Sequence, residues 1–185
     1  MRVFIGIGFD ESVKKYLLET QEYLKTTFYQ AKFTHYDNFH ITLKYIGLIT
    51  HHELDSLIQI VNSISKTYKA FNIKIGDLGS YNIRGKQLFW IDVTEGKKAL
   101  QKLYNKVEQA LVFEEFKADQ RKYNPHVTIA REVVLNNHLN TSKRLPVYKE
   151  PINVNKVTIF ESHRVNGLLT YTPLYECELV NGDEL

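Results

Sequence analysis

The sequence predicts a mixed α+β protein of one domain in which strands outnumber helices. Three observations carry this. Short runs of β-branched and aromatic residues are bounded by Gly, Asn and Asp; apolar residues recur at helical spacing behind capping residues; and the chain closes on two strand-like runs around Asn166-Gly167.

The elements follow in order. Val3, Phe4, Ile5 and Ile7 form a short buried strand, and Asp10 then caps a helix whose apolar stripe is Val13, Leu17, Leu24 and Phe28. A strand over Phe39 to Ile46 ends at Gly47. Thr50 and Glu53 stand in capping-box register before Leu54, Leu57, Ile58, Val61 and Ile64. Strands at Phe71–Leu78 and Leu88–Val93 are joined by a turn over Asn82 to Lys86. Thr94 caps a third helix carrying Leu100, Leu103, Val107 and Leu111, and His126–Ala130 is the next strand. Glu132 to Lys149 is polar and reads as a long loop. Val154–Phe160 and Tyr171–Leu179 pair antiparallel around the Asn166-Gly167 turn. No Gly-, Ser- or Pro-rich linker divides residues 1–185, so one domain is expected. Strand, helix and histidine-bearing strand occur in the first 46 residues and again between Leu88 and Ala130.

Composition narrows the function. In 185 residues, 43% hydrophobic and 24% charged side chains exclude wholesale disorder. Lys and Arg total 24 against 21 Asp and Glu, a net charge of +3 that permits an anionic substrate without implying a polyanion-coating surface. The single cysteine, Cys177, excludes an internal disulfide and a cysteine-rich metal site. The N-terminal apolar run Val3 to Phe9 is too short to span a bilayer and lacks the pattern of a signal peptide. A cytoplasmic monomer without membrane attachment is the expectation.

Seven histidines sort unequally. His35 precedes a strand, His51 and His52 open a helix, His138 lies in the polar loop, and His163 is near the last turn. His40 and His126 each lie in an apolar-bounded strand with threonine two residues on: Phe39-His40-Ile41-Thr42-Leu43 and Pro125-His126-Val127-Thr128-Ile129. Side chains two apart in a strand share a face. Ile41 and Leu43 therefore anchor one strand while His40 and Thr42 face the other way, and Val127 and Ile129 do the same for His126 and Thr128. One such motif is well explained by packing and β-propensity. Two together point to chemistry.

Two histidines and two hydroxyls, without a nearby carboxylate or thiol nucleophile, fit phosphodiester hydrolysis. A neutral imidazole takes a proton from water while a protonated one gives a proton to the departing alkoxide, and histidine's ordinary pKa allows both forms near neutral pH. Threonine hydroxyls donate to the phosphate oxygens as charge develops. A strained five-membered cyclic phosphate needs no metal for this.

The paired motifs HITLKYIG and HVTIAR resemble those of the 2H phosphoesterase superfamily. The opening MRVFIGIGFDESV, the lead-ins THYDNFHITLKYIG and KYNPHVTIAR, the segment LGSYNIRGKQLFWIDV and the late VTIFESHRV occur in the order seen in the bacterial RNA 2′,3′-cyclic phosphodiesterases, also called 2′-5′ RNA ligases. That resemblance implies a bilobal fold, two pseudo-symmetric lobes of mainly antiparallel sheet with helices outside and one motif on each wall of a central cleft. It implies opening of a 2′,3′-cyclic phosphate at an RNA end, or on a small cyclic nucleotide, to a 2′-phosphate, with no cofactor and no metal. By the same resemblance His40 is the proton donor to the leaving 3′-oxygen, His126 the proton acceptor, and Thr42 and Thr128 bind the phosphate.

Further candidates lie nearby. Arg131 offers a guanidinium, but its odd offset from His126 brings it to the cleft only if the chain turns after Ile129. Lys44 is in phase with His40 and Thr42. Phe33, His35, Tyr36 and Tyr123 are candidates to stack a base, whereas Trp90, between Phe89 and Ile91, reads as core. Two other readings stand beside the enzyme: a non-catalytic RNA-end or nucleotide-binding module, and a metal-dependent hydrolase using His35, His40 and His126. The last is disfavoured because no acidic residue accompanies either motif at ligand spacing.

Overall fold

In a computed structural model, residues 1–83, 85–135 and 145–181 are described, with only the backbone at residue 83. Strand β1 (Arg2–Gly8) leads to helix α1 (Glu11–Lys25), whose Asp10 cap accepts the Val13 N–H at 3.0 Å. Phe28 is not on that helix. Thr26 and Thr27 end it by turning their hydroxyls onto the carbonyls of Tyr23 and Leu24, and Phe28 starts strand β2 (Phe28–Phe33). A 3₁₀ turn at Tyr36–Asn38 precedes β3 (His40–Leu48). Helix α2 (His51–Ser65) opens with the expected capping box of Thr50 and Glu53.

β4 (Phe71–Ile83) and β5 (Lys86–Glu95) form a hairpin longer than the sequence pattern indicates. Helix α3 (Lys97–Phe113) is capped by Gly96 rather than Thr94, which stays in β5. At a φ of +83° Gly96 passes so close to β4 that a Cβ would meet the Asn72 carbonyl at 2.7 Å. β6 (His126–Leu135) absorbs the start of the expected loop. Residues 136–144 of that loop, His138 among them, lie outside the described residues. β7 (Ile152–Val154), missed in the sequence, precedes the hairpin of β8 (Lys156–Val165) and β9 (Leu168–Glu178). Asn166 and Gly167 both take positive φ, 49° and 83°, as a type I′ turn requires.

The strands form one curled antiparallel sheet in the order β7-β4-β5-β6-β3-β1-β8-β9, with β2 also paired to β6. Two halves meet where β3 and β6 touch, at the single pair Ile41–Val127. One face of the sheet is covered by the helices. Ile5, Leu17, Ile41, Leu57, Ile91, Leu100, Leu103 and Ile129 are fully buried there, each contributing roughly 1.5–3 kcal/mol. The other face stays open, and there the histidine motifs lie. No helix among the described residues is long and apolar enough to cross a membrane.

Candidate active site

The two motif strands have the same burial sequence. His40 and Thr42 are half-buried, Ile41, Leu43 and Lys44 buried, and Tyr45 exposed; His126 and Thr128 are half-buried, Val127, Ile129 and Ala130 buried, and Arg131 exposed. Two buried residues in succession break the alternation, and the registers show why. Between Gly6–Thr42 and Ile5–Lys44, β3 has one residue more than β1; between Trp90–Thr128 and Phe89–Ala130, β6 has one more than β5. Each is a β-bulge, which shifts the side-chain phase by one residue.

The bulges decide the fate of two candidates. After Ile129 the phase change returns Arg131 to the face of His126 and Thr128, so the odd offset does not keep it from the cleft. Lys44 goes the other way. Its expected place beside His40 and Thr42 is corrected by the structure: the bulge turns it under the sheet, where it is 3% exposed and its ammonium lies 2.6 Å from the Glu108 carboxylate of α3. Buried Gln21 of α1 supports the second bulge by donating to the carbonyls of Thr34 and Ile129 at 2.8 and 2.9 Å.

Both catalytic candidates are held alike. His40 Nδ1 is 2.7 Å from the Asn38 carbonyl and His126 Nδ1 is 2.8 Å from that of Asn124. A carbonyl only accepts, so Nδ1 carries the hydrogen and in a neutral ring each Nε2 is the acceptor. His40 Nε2 lies 2.9 Å from Thr42 Oγ1, close enough for a neutral ring to accept the hydroxyl proton. The antiparallel contact at Ile41–Val127 sets His40 across from Thr128 and Thr42 across from His126.

Their surroundings differ. The His40 ring packs on Phe4 at 4.8 Å, edge-on to Tyr171 at 5.1 Å, and near Phe160 at 6.2 Å. Burial in this aromatic nest pushes its pKa down to about 4; the Asn38 carbonyl opposes the shift, and the charges of Arg131 and His126 add to it. His126 has the Trp90 indole 5.8 Å away. Beside His40 a cavity of about 290 Å³ is lined by Gly8, Asp37, His40, Phe160, Tyr171 and Glu176 among others.

The other candidates have contacts of their own. Phe33 stacks on Phe28 and packs against the core, with the Lys25 ammonium over its ring. Tyr123 lies flat on Tyr104 of α3 at 4.4 Å, and burial pushes its hydroxyl pKa up. Exposed His35 caps the 3₁₀ turn, its Nδ1 accepting the Asp37 N–H, and Tyr36 donates to Glu11. Among the described residues no three His, Cys, Asp or Glu side chains are grouped to hold a metal ion.

Two residues escaped the sequence reading. Asn38 is 5% exposed; its amide donates to the Leu169 carbonyl at 2.7 Å and accepts the Tyr171 N–H at 2.9 Å, tying the turn that holds His40 to β9. The signal was available, since Asn stands two residues before both histidines. Trp90 is not core. Phe89 and Ile91 are buried on the helix side, and alternation turns Trp90 to the face of its partner Thr128.

Residues 19–166 match the model of the 2′-5′ RNA ligase superfamily. The chain belongs to that superfamily. The shared region takes in both histidine motifs. An RNA 2′,3′-cyclic phosphodiesterase of Thermotoga maritima is 24% identical over 184 residues, covering 98% of this chain and 97% of its own. The TT0787 protein of Thermus thermophilus superposes with a TM-score of 0.81 at 17% identity, over 98% of this chain and 100% of that one. Escherichia coli LigT, solved in complex with 3′-AMP, gives 0.78 at 19% identity over 96% and 97%. The fold is therefore that of the superfamily's phosphoesterases, α+β with an antiparallel sheet and helices outside.

Proposed function

We propose that this chain is an RNA 2′,3′-cyclic phosphodiesterase that opens the cyclic end to a 2′-phosphomonoester by metal-independent acid/base catalysis. The observation that carries the proposal is the pair of His-x-Thr edges, each imidazole anchored through Nδ1, lying on one open face across the Ile41–Val127 contact. The Thermotoga maritima relative, named an RNA 2′,3′-cyclic phosphodiesterase and matched over 98% of this chain, supports it.

In this reading a water attacks phosphorus and gives its proton to His126 Nε2. The P–O3′ bond breaks, and O3′ takes a proton from His40 Nε2, leaving the phosphate on O2′. Thr42 and Thr128 donate to the non-bridging oxygens, with Arg131 at the same face for their charge. Run in the same direction with a 5′-hydroxyl in place of water, the same proton transfers join ends through a 2′-5′ bond. RNA ends or small cyclic nucleotides are the substrate class.

His40 has to gain its proton before it can act. In the empty cleft burial, with the Arg131 guanidinium adding to it, keeps the ring neutral; an incoming phosphodiester anion offsets that positive charge and raises its pKa. The acid limb of the kcat/KM profile, which reports the free enzyme, is expected near pH 4, and that of kcat at higher pH. Because the folded-state pKa lies below the ordinary 6.5, His40 contributes stability above that value that is lost as pH falls towards 4. Coincident acid limbs for kcat and kcat/KM would remove the substrate-linked protonation.

The test of the function is an oligonucleotide ending in a 2′,3′-cyclic phosphate, incubated with the protein in chelator, with the product identified. A 2′-phosphate end is expected. A 3′-phosphate would reverse the leaving group, activity lost in chelator would refute metal independence, and binding without product would leave only an RNA-end-binding module.

A further inference from the structure

The proton transfers make no use of Trp90. Trp90 sits in the row Gly79–Trp90–Thr128 across β4, β5 and β6, on the same face as the histidines. Its indole lies against the Gly79 backbone: a Cβ there would come within 2.6 Å of Cε2, Nε1 and Cζ2. Only glycine permits so close a seat. The ring's orientation is further fixed by its T-shaped contact with His126. A large apolar side chain is thus held half-buried on an open catalytic face, although alternation assigns the neighbouring core positions to Phe89 and Ile91.

We propose that Trp90 is a stacking platform for a nucleobase of the bound RNA end. A rigid indole with one side seated on backbone offers a π-surface to any base without regard to sequence, at little cost in side-chain freedom. Gly79 serves the platform by letting the ring lie down, and His126 sets its edge. The subsite rests on the proposed function for its ligand class, nucleotides, but not on turnover.

The chain contains one tryptophan, so intrinsic fluorescence reports this residue alone. Adenosine 2′-monophosphate is expected to quench it saturably, and inorganic phosphate is expected not to. By calorimetry, Trp90→Leu should weaken adenosine 2′-monophosphate about tenfold, while Trp90→Phe, which keeps a ring, stays within about threefold of wild type. The fluorescence arm uses the unaltered protein and therefore stands even if Trp90→Leu fails to fold. Equal responses to nucleotide and phosphate would overturn the platform, as would calorimetric nucleotide binding with unchanged fluorescence, or no nucleotide binding at all. Base-dependent quenching in a protein that leaves cyclic phosphates intact would refute the catalytic reading and keep the subsite.

Discussion

Replacing His40 or His126 by alanine is expected to lower kcat by about 10²–10⁴, because in the proposed mechanism each removes one of two proton transfers. Loss of His126 leaves water without an acceptor; loss of His40 leaves O3′ to depart as a free alkoxide. The double variant should fall little below the singles, since either imidazole alone completes only half the exchange. Packing has to be separated from chemistry at His40, whose ring fills space between Phe4, Tyr171 and Phe160. His40→Gln keeps bulk there and a polar tip near Thr42, yet cannot cycle a proton, so it should be as slow as His40→Ala while losing less stability. Single-turnover opening of a cyclic-phosphate oligonucleotide, corrected for folded fraction by circular dichroism, measures both. Either single variant within about tenfold of wild type would end the two-histidine mechanism.

The legible part of this molecule was written in local patterns. Asp10, the Thr50–Glu53 box and the Asn166-Gly167 turn act within a few residues of themselves, and the elements they bound stand where the spacing puts them. His40 with Thr42 and His126 with Thr128 were legible for the same reason, since strand alternation is local. What failed depended on neighbouring strands. A bulge inserts one residue into one strand of a pair, and nothing in HITLKY or HVTIAR marks it until β1 and β5 are laid alongside. Lys44 and Arg131 consequently exchanged faces relative to unbroken alternation. β2 was overlooked because FYQAKF, paired only through β6, exposes half its side chains and lacks an apolar stripe. Trp90 lies off the core, against its hydrophobicity, because the strand alternation that buries Phe89 and Ile91 turns it to the opposite face.

Breaking the Lys44–Glu108 pair is expected to cost about 3–5 kcal/mol of stability and to leave catalysis of the folded protein unchanged. Lys44 is 3% exposed and the Glu108 side chain 17%, so neither charge is well hydrated, and each depends on the other 2.6 Å away. Glu108 carries a second duty, accepting the Asp119 N–H at 2.5 Å in the segment that leads to His126. Lys44→Met therefore removes the cation while filling its volume, and leaves a carboxylate with one backbone donor. Adding Glu108→Gln removes the stranded charge, keeps an acceptor for Asp119, and should recover most of the loss, the signature of a buried ion pair rather than of lost packing. Denaturant unfolding of the wild type, both single variants and the double variant gives the coupling. The kinetic arm decides the face on which Lys44 acts: KM for a cyclic-phosphate oligonucleotide should be unaltered in Lys44→Met. A rise of about tenfold with undiminished stability would place the ammonium on the RNA and reverse the orientation that the bulge gives it.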